Sequence, residues 1–166
     1  ETYAAVGGGA FFTYSSAYFE QADILGNTTT ATTAGGGGGL YGYYYAAPAF
    51  TNTSLWNNAA FIAGAAAGGG VMFDATYAPA SMAFTYSSLS ENGTDPFRNT
   101  SSPVGADDNI EGATAYTDVS AESALDWDLT LGAGSALRNA GDPEIADAAG
   151  TRSDIGSRGG SSGDAW

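Results

Sequence analysis

Apolar positions along this chain come in short runs without a helical period. Ala10 to Tyr14, Ala17 to Ile24, Phe50 to Trp56 and Met82 to Leu89 are rich in Tyr, Phe, Thr and Ser, residue types that suit a pleated, half-buried surface. No run sustains a 3.6-residue period, so helices should be short or absent. Gly clusters and Asn separate the runs, and both tolerate the positive φ of a sharp corner. The pattern predicts strands joined by tight bends.

The runs repeat. Gly7-Gly8-Gly9-Ala10-Phe11, Gly37-Gly38-Gly39-Leu40-Tyr41 and Gly68-Gly69-Gly70-Val71-Met72 are spaced 30 and 31 residues apart. Each is followed, 17 to 21 residues on, by an aliphatic residue, two variable positions and Asn: Ile24-Leu25-Gly26-Asn27, Leu55-Trp56-Asn57-Asn58 and Leu89-Ser90-Glu91-Asn92. Ala47-Pro48 and Ala78-Pro79 share a register. Strand-and-corner units of about 30 residues stack so that like residues form columns. Asn27, Asn58 and Asn92 should then form an internal ladder, with Ile24, Leu55 and Leu89 stacked inside. The Gly triplets are not phosphate loops, because no Lys and no helix follows any of them.

These motifs resemble the repeats of polymorphic outer membrane proteins, with Ile24, Leu55 and Leu89 where that family often has an aromatic. The C-terminal third carries Asp126-Trp127-Asp128-Leu129, Leu131, Gly134-Ser135-Ala136, Asn139-Ala140-Gly141-Asp142-Pro143, then Arg152-Ser153-Asp154-Ile155-Gly156 and Gly159-Gly160. That order is similar to the closing segment of secreted pectate-lyase-like β-helix proteins. Ala136 stands where that pattern has proline, and Arg138-Asn139 replace an aliphatic-Asp pair. The resemblance implies an all-β fold, a right-handed parallel β-helix (solenoid) with a Gly-rich C-terminal cap. Residues 1–105 would be repeat coils, and 106–166 the last coil and cap of the same domain. The cap would cover the open strand edges of the last coil. Arg152 and Asp154 would pair within it.

Charge narrows the functions. Net charge is −14, from 18 acids against four arginines, with no Lys, His or Cys. Such an excess repels phosphate backbones and anionic lipid, so neither nucleic acid nor membrane insertion is expected. Zinc and copper sites lack their ligands. Glu1 to Val6 show no signal-peptide pattern, which fits a processed secreted chain or a fragment.

Candidate chemistry is sparse. Before the closing segment the acids are mainly Asp23, Asp74, Asp95, Glu20 and Glu91, with Arg98 the one base, and they build no acidic column of the kind a lyase or glycosidase needs. No catalytic residue and no cofactor site is assigned. Asp107, Asp108 and Asp118 form one acidic group; Asp142, Asp147 and Asp154 form another that could hold a structural Ca²⁺. Tyr41, Tyr43, Tyr44, Tyr45 and Trp56 could stack on sugar rings or cover the wall. Sequons at Asn27, Asn52, Asn92 and Asn99 are glycosylation candidates, in competition with the ladder at Asn27 and Asn92.

The expectation is a non-enzymatic, secreted or cell-surface structural or adhesive module. Its partners would be itself or upstream coils at an uncapped N-terminal end, as in a filament or oligomer, or a carbohydrate. The alternative is a polysaccharide lyase or glycoside hydrolase of the pectate-lyase-like class, or a remnant of one.

Overall fold

The computed structural model describes residues 8–30, 36–61, 67–73, 81–93, 95–98 and 100–163. Among these, the regular elements are short strands and one 3-10 turn, Ala124–Asp126, so the chain is all-β. The first repeat carries β1 (Ala10–Thr13), β2 (Tyr18–Glu20), β3 (Asp23–Leu25) and β4 (Thr28–Thr29). The second carries β5 (Gly36–Gly37), β6 (Leu40–Tyr43), β7 (Ala49–Thr51), β8 (Ser54–Trp56) and β9 (Ala59–Ala60). The third carries β10 (Ala67–Gly68), β11 (Val71–Phe73), β12 (Ala83–Thr85) and β13 (Ser88–Ser90), followed by β14 (Phe97–Arg98). Each strand pairs in parallel with its counterpart one repeat away, giving sheets ordered β1-β6-β11-β14, β2-β7-β12 and β3-β8-β13. The strands of one repeat make up one tier.

Register sets like upon like. Ala10, Leu40, Val71 and Phe97 share one column, Phe19, Phe50 and Phe84 a second, Ile24, Leu55 and Leu89 a third. The Phe column stacks face to face, with centroids 5.0 Å apart at both steps. These columns are the core, in which Leu40, Phe50 and Leu55 are fully buried. Alternation along β1 puts Ala10 and Phe12 inside and Phe11 and Thr13 outside, as period 2 requires.

Two local expectations need correction. Ala17–Ile24, Phe50–Trp56 and Met82–Leu89 are not single strands: each breaks at a left-handed corner, Gln21, Asn52 and Tyr86, with φ of 53°, 49° and 47°. The described glycines of the triplets, in turn, do not have positive φ. Their role is close approach, since a Cβ on Gly8 or Gly38 would collide with the carbonyl oxygen of the next tier, Gly38 or Gly69.

The C-terminal segment is also placed differently from a cap over the last strand edges. β15 (Tyr116–Asp118) and β16 (Asp128–Leu131) form an antiparallel pair. It lies against the outer face of β3-β8-β13, where Tyr116 meets Trp56 edge-on at 5.6 Å and Trp127 packs under Gly26. Residues 132–163 then run along the corner column back to the first tier, touching Tyr86, Asn52 and Gln21 in turn. The segment is a side strap. The last tier is instead covered by residues 95–98 and 100–110: Ser88 bridges Ile110, Leu89 N–H donates to the Ile110 carbonyl at 3.1 Å, and Tyr86 N–H to that of Asp107 at 3.0 Å.

Candidate functional site

The polar columns come first, because they decide which side chains are free for chemistry. Asn27 Nδ2 and its backbone N–H both donate to Asn58 Oδ1 at 3.0 Å. Asn58 repeats the pattern on Asn92 Oδ1, at 2.9 and 3.1 Å. The second amide hydrogen of each reaches up one tier, from Asn58 to the Ile24 carbonyl and from Asn92 to that of Leu55, both at 2.8 Å. The structure thus joins the three asparagines in one ladder, buried at Asn58 and Asn92 and part-buried at Asn27.

A second ladder carries no shared residue type. Thr53 N–H donates to Ser87 Oγ at 3.1 Å, Ser87 N–H donates to Asn109 Oδ1 at 3.0 Å, and Asn109 Nδ2 donates to the Phe84 carbonyl at 2.7 Å. The equivalent position in the first tier is Ala22, where the column ends.

The densest chemistry surrounds Asp23. Its carboxylate accepts from Tyr116 Oη at 3.1 Å, from Ser157 N–H at 3.0 Å and from the Ser157 hydroxyl. Tyr116 Oη also lies 2.9 Å from Ser54 Oγ. Burial pushes the Asp23 carboxyl above the usual carboxylate range, against the opposing pull of Ser157, Tyr116 and the Arg158 charge. Burial, then the neighbouring Asp23, push the Tyr116 phenol upward as well. Gly156 closes over the carboxylate, because a Cβ there would strike Asp23 Oδ1. Both carboxylate oxygens are therefore spent on fastening the strap to the first tier. Sequence reading gave Tyr116 and Ser157 no role, since their partner lies 93 and 134 residues away.

Asn52 is the other fastening. Its Oδ1 accepts from Asp142 N–H at 2.6 Å, its Nδ2 donates to Ser153 Oγ at 3.1 Å, and its carbonyl accepts from Gly156 N–H at 2.8 Å. Fully buried, it has no room for a glycan. Asn92 is closed to a glycan in the same way, and the Asn27 amide nitrogen is committed to Asn58. Burial thus closes Asn52 and Asn92 to a glycan in the folded chain, while Asn27 is only part-buried; Asn99, like Asp74 and Ala78-Pro79, lies outside the described residues.

The closing acids are separated in function. Asp142 Oδ1 accepts from Glu144 N–H at 2.8 Å, Asp147 from Thr151 N–H at 2.9 Å and its hydroxyl at 2.6 Å, and Asp154 from Asn139 N–H at 2.6 Å. Asp142 and Asp147 cap their own turns, Asp154 ties its segment to Asn139, and no group of three acids fit for a metal occurs among the described residues. The hydrogen bonds to Thr151 hold the Asp147 carboxyl below the ordinary range. Arg152 does not pair with Asp154; it donates to the Gly141 and Ala140 carbonyls and lies over the Tyr86 ring. The ion pair among the described residues is Arg98–Asp95, at 3.1 Å on the surface.

Aromatic rings gather on the outside of the first two tiers. Phe11 stacks on Tyr41 at 5.6 Å and Tyr14 on Tyr44 at 5.5 Å, with Tyr43 and Tyr45 alongside. Tyr41 is buried, so it covers the wall, whereas Tyr14 and Tyr45 are 70% and 58% exposed. Trp56 faces Tyr116 under the strap and lies outside this group.

What the strap and loops leave uncovered, among the described residues, is the face of the first tier. β1, β2, β3 and β4 all lie at sheet edges. Between them a recess of about 310 Å³ is lined by Gly9, Ala10, Phe12, Phe19, Ile24 and Asn27 among others. Comparison with protein-family models, with curated proteins and with solved structures returns no match. The family resemblance accordingly rests on the sequence motifs alone.

Proposed function

We propose that the chain is a non-enzymatic structural or adhesive module of the secreted or cell-surface kind, built as a right-handed parallel β-helix. The repeat of parallel strands in register, tier upon tier, supports the architecture. The observation that carries the functional reading is the spent state of the polar groups. Asp23, Asn52, Asn58, Asn92 and Asn109 hold the fold together, Asp142 and Asp147 cap their own turns, and Asp154 is bonded to Asn139. Exposed rings and strand edges remain for binding, which is the equipment of a contact surface.

The test is an activity screen on neutral and uronate polysaccharides with Ca²⁺ present, following unsaturated products and reducing ends. The module reading expects no turnover above a heat-denatured control. Turnover that disappears in Asp23→Asn with the fold intact would instead establish the lyase or hydrolase alternative.

A further inference from the structure

We propose that Tyr14 and Tyr45 form an oxidative cross-linking site, at which a peroxidase joins the two rings by a carbon–carbon bond and fastens the first tier to the second. Such a covalent staple goes beyond the module reading and does not depend on it.

The backbone holds the two residues side by side. Tyr14 follows β1 and Tyr45 lies two residues past β6, both at left-handed positions with φ of 48° and 50°. Tyr14 N–H donates to the Tyr44 carbonyl at 2.8 Å, which aligns the two corners tier upon tier. The Tyr14 and Tyr45 ring centroids are 5.8 Å apart, with the planes tilted by 32°. Both rings stand on the outside of the tiers, 70% and 58% exposed, where an oxidant reaches them and where they have room to turn. Tyr44 also faces Tyr14, but it is half-buried and Tyr43 meets it edge-on at 4.4 Å, which restrains its ring.

Composition leaves this route open and closes the usual one. The chain has 10 Tyr and no Cys, so no disulfide can tie one tier to the next and no thiol competes for the oxidant. In the coupling, each phenol gives one electron and one proton to the peroxidase, and one hydrogen peroxide takes up both pairs to leave two waters. The two phenoxyl radicals then combine their unpaired electrons in a bond between ring carbons ortho to the hydroxyls. The hydrogens on those carbons move to the phenoxyl oxygens and restore both phenols. The product is lighter by two hydrogens.

The fold favours coupling within one chain. Neighbouring rings meet at an effective concentration far above that of a second molecule in dilute solution. The charge of −14 also keeps copies apart. The residues are 31 apart in sequence, so the bond closes a loop carrying β2 to β6 and limits the freedom of the unfolded chain, as a disulfide would.

The test treats dilute folded chain with peroxidase and limiting hydrogen peroxide, followed by intact mass, dityrosine fluorescence and peptide mapping. Cleavage at Asp23 after unfolding separates Tyr14 from Tyr45, so a cross-link is read as two peptides that stay joined. The expected product is a monomer lighter by two hydrogens, linked between Tyr14 and Tyr45, that unfolds at higher denaturant than the untreated chain. Tyr14→Phe and Tyr45→Phe keep the rings and the wild-type circular dichroism, and each should lower the yield at least tenfold. Tyr18→Phe should leave it unchanged, since Tyr18 is 61% exposed but has no tyrosine ring against it among the described residues. No cross-link, a link between other residues, mainly covalent oligomers, or a wild-type yield from either Tyr14→Phe or Tyr45→Phe would each overturn the proposal. None of these results bears on turnover, so failure here is separate from failure of the non-enzymatic reading.

Discussion

The first and last described tiers are made from the same kinds of residue and behave differently. Phe84 and Leu89, in the last full tier, are 5% and 2% exposed, whereas Phe19 and Ile24, in the first, are only half-buried. The difference does not lie in these side chains. It comes from the chain beyond the third tier: residues 95–98 and 100–110 fold over that tier, and Asn109 inserts an amide that completes its ladder. A repeat fixes the interior of such a stack, and its ends depend on non-repeating chain.

The sharpest way to break this comparison is to truncate the same column at both depths. Phe50→Ala removes a ring stacked on both faces and should cost about 3–5 kcal/mol. Phe19→Ala removes a ring stacked on one face, and should cost roughly half as much. Denaturant unfolding reads both. Equal losses would mean that the first tier is as enclosed as the second.

The ladder gives the next contrast. Asn58→Ala strands two donors of Asn27 and the Ile24 carbonyl, and leaves Asn92 Oδ1 with the backbone N–H of position 58 alone, so a loss of roughly 3 kcal/mol is expected. Asn27→Ala frees only the upper side of Asn58, at about 1 kcal/mol. If the order is reversed, the asparagines do not carry the tiers.

These ladders also show what was legible from residues alone. The Gly triplets and the aliphatic-x-x-Asn motif placed Ile24, Leu55 and Leu89 in one column, because the same side chains recur at the same step. Gln21, Asn52 and Tyr86 occupy equivalent corners with three unrelated side chains, so no shared residue type marks the break between strands there. Thr53, Ser87 and Asn109 likewise share a role without sharing a residue type. The strap was recognisable as a motif, but its course was not. Its anchors Asp23 and Asn52 act on residues about a hundred positions away, and no spacing rule spans that distance.

Smaller effects probe the strap against the stack. Asn52→Ala should release the strap near Asp142 and Ser153 at about 1–3 kcal/mol, with limited proteolysis cutting after residue 132 before it cuts the tiers. Cleavage that begins within the tiers would contradict this.

Smallest is the pH dependence set by Asp23. Its folded carboxyl titrates above the unfolded value of 3.8, so the folded state binds the proton more tightly. Its contribution is therefore greatest below that value and declines as pH rises through the folded pKa. Asp23→Asn should flatten this decline in a Tm-against-pH series, and an unchanged slope would remove Asp23 from the account.

The most direct measurement of the stacked-tier claim is hydrogen exchange at the Asn58 side-chain amide, followed by solution NMR. Both of its hydrogens are bonded inside the stack, to Ile24 and to Asn92. The account predicts a resolved amide pair that exchanges orders of magnitude more slowly than an exposed asparagine, with cross-peaks to Ile24 and Asn92. An Asn58 amide exchanging at the rate of a free side chain would contradict it.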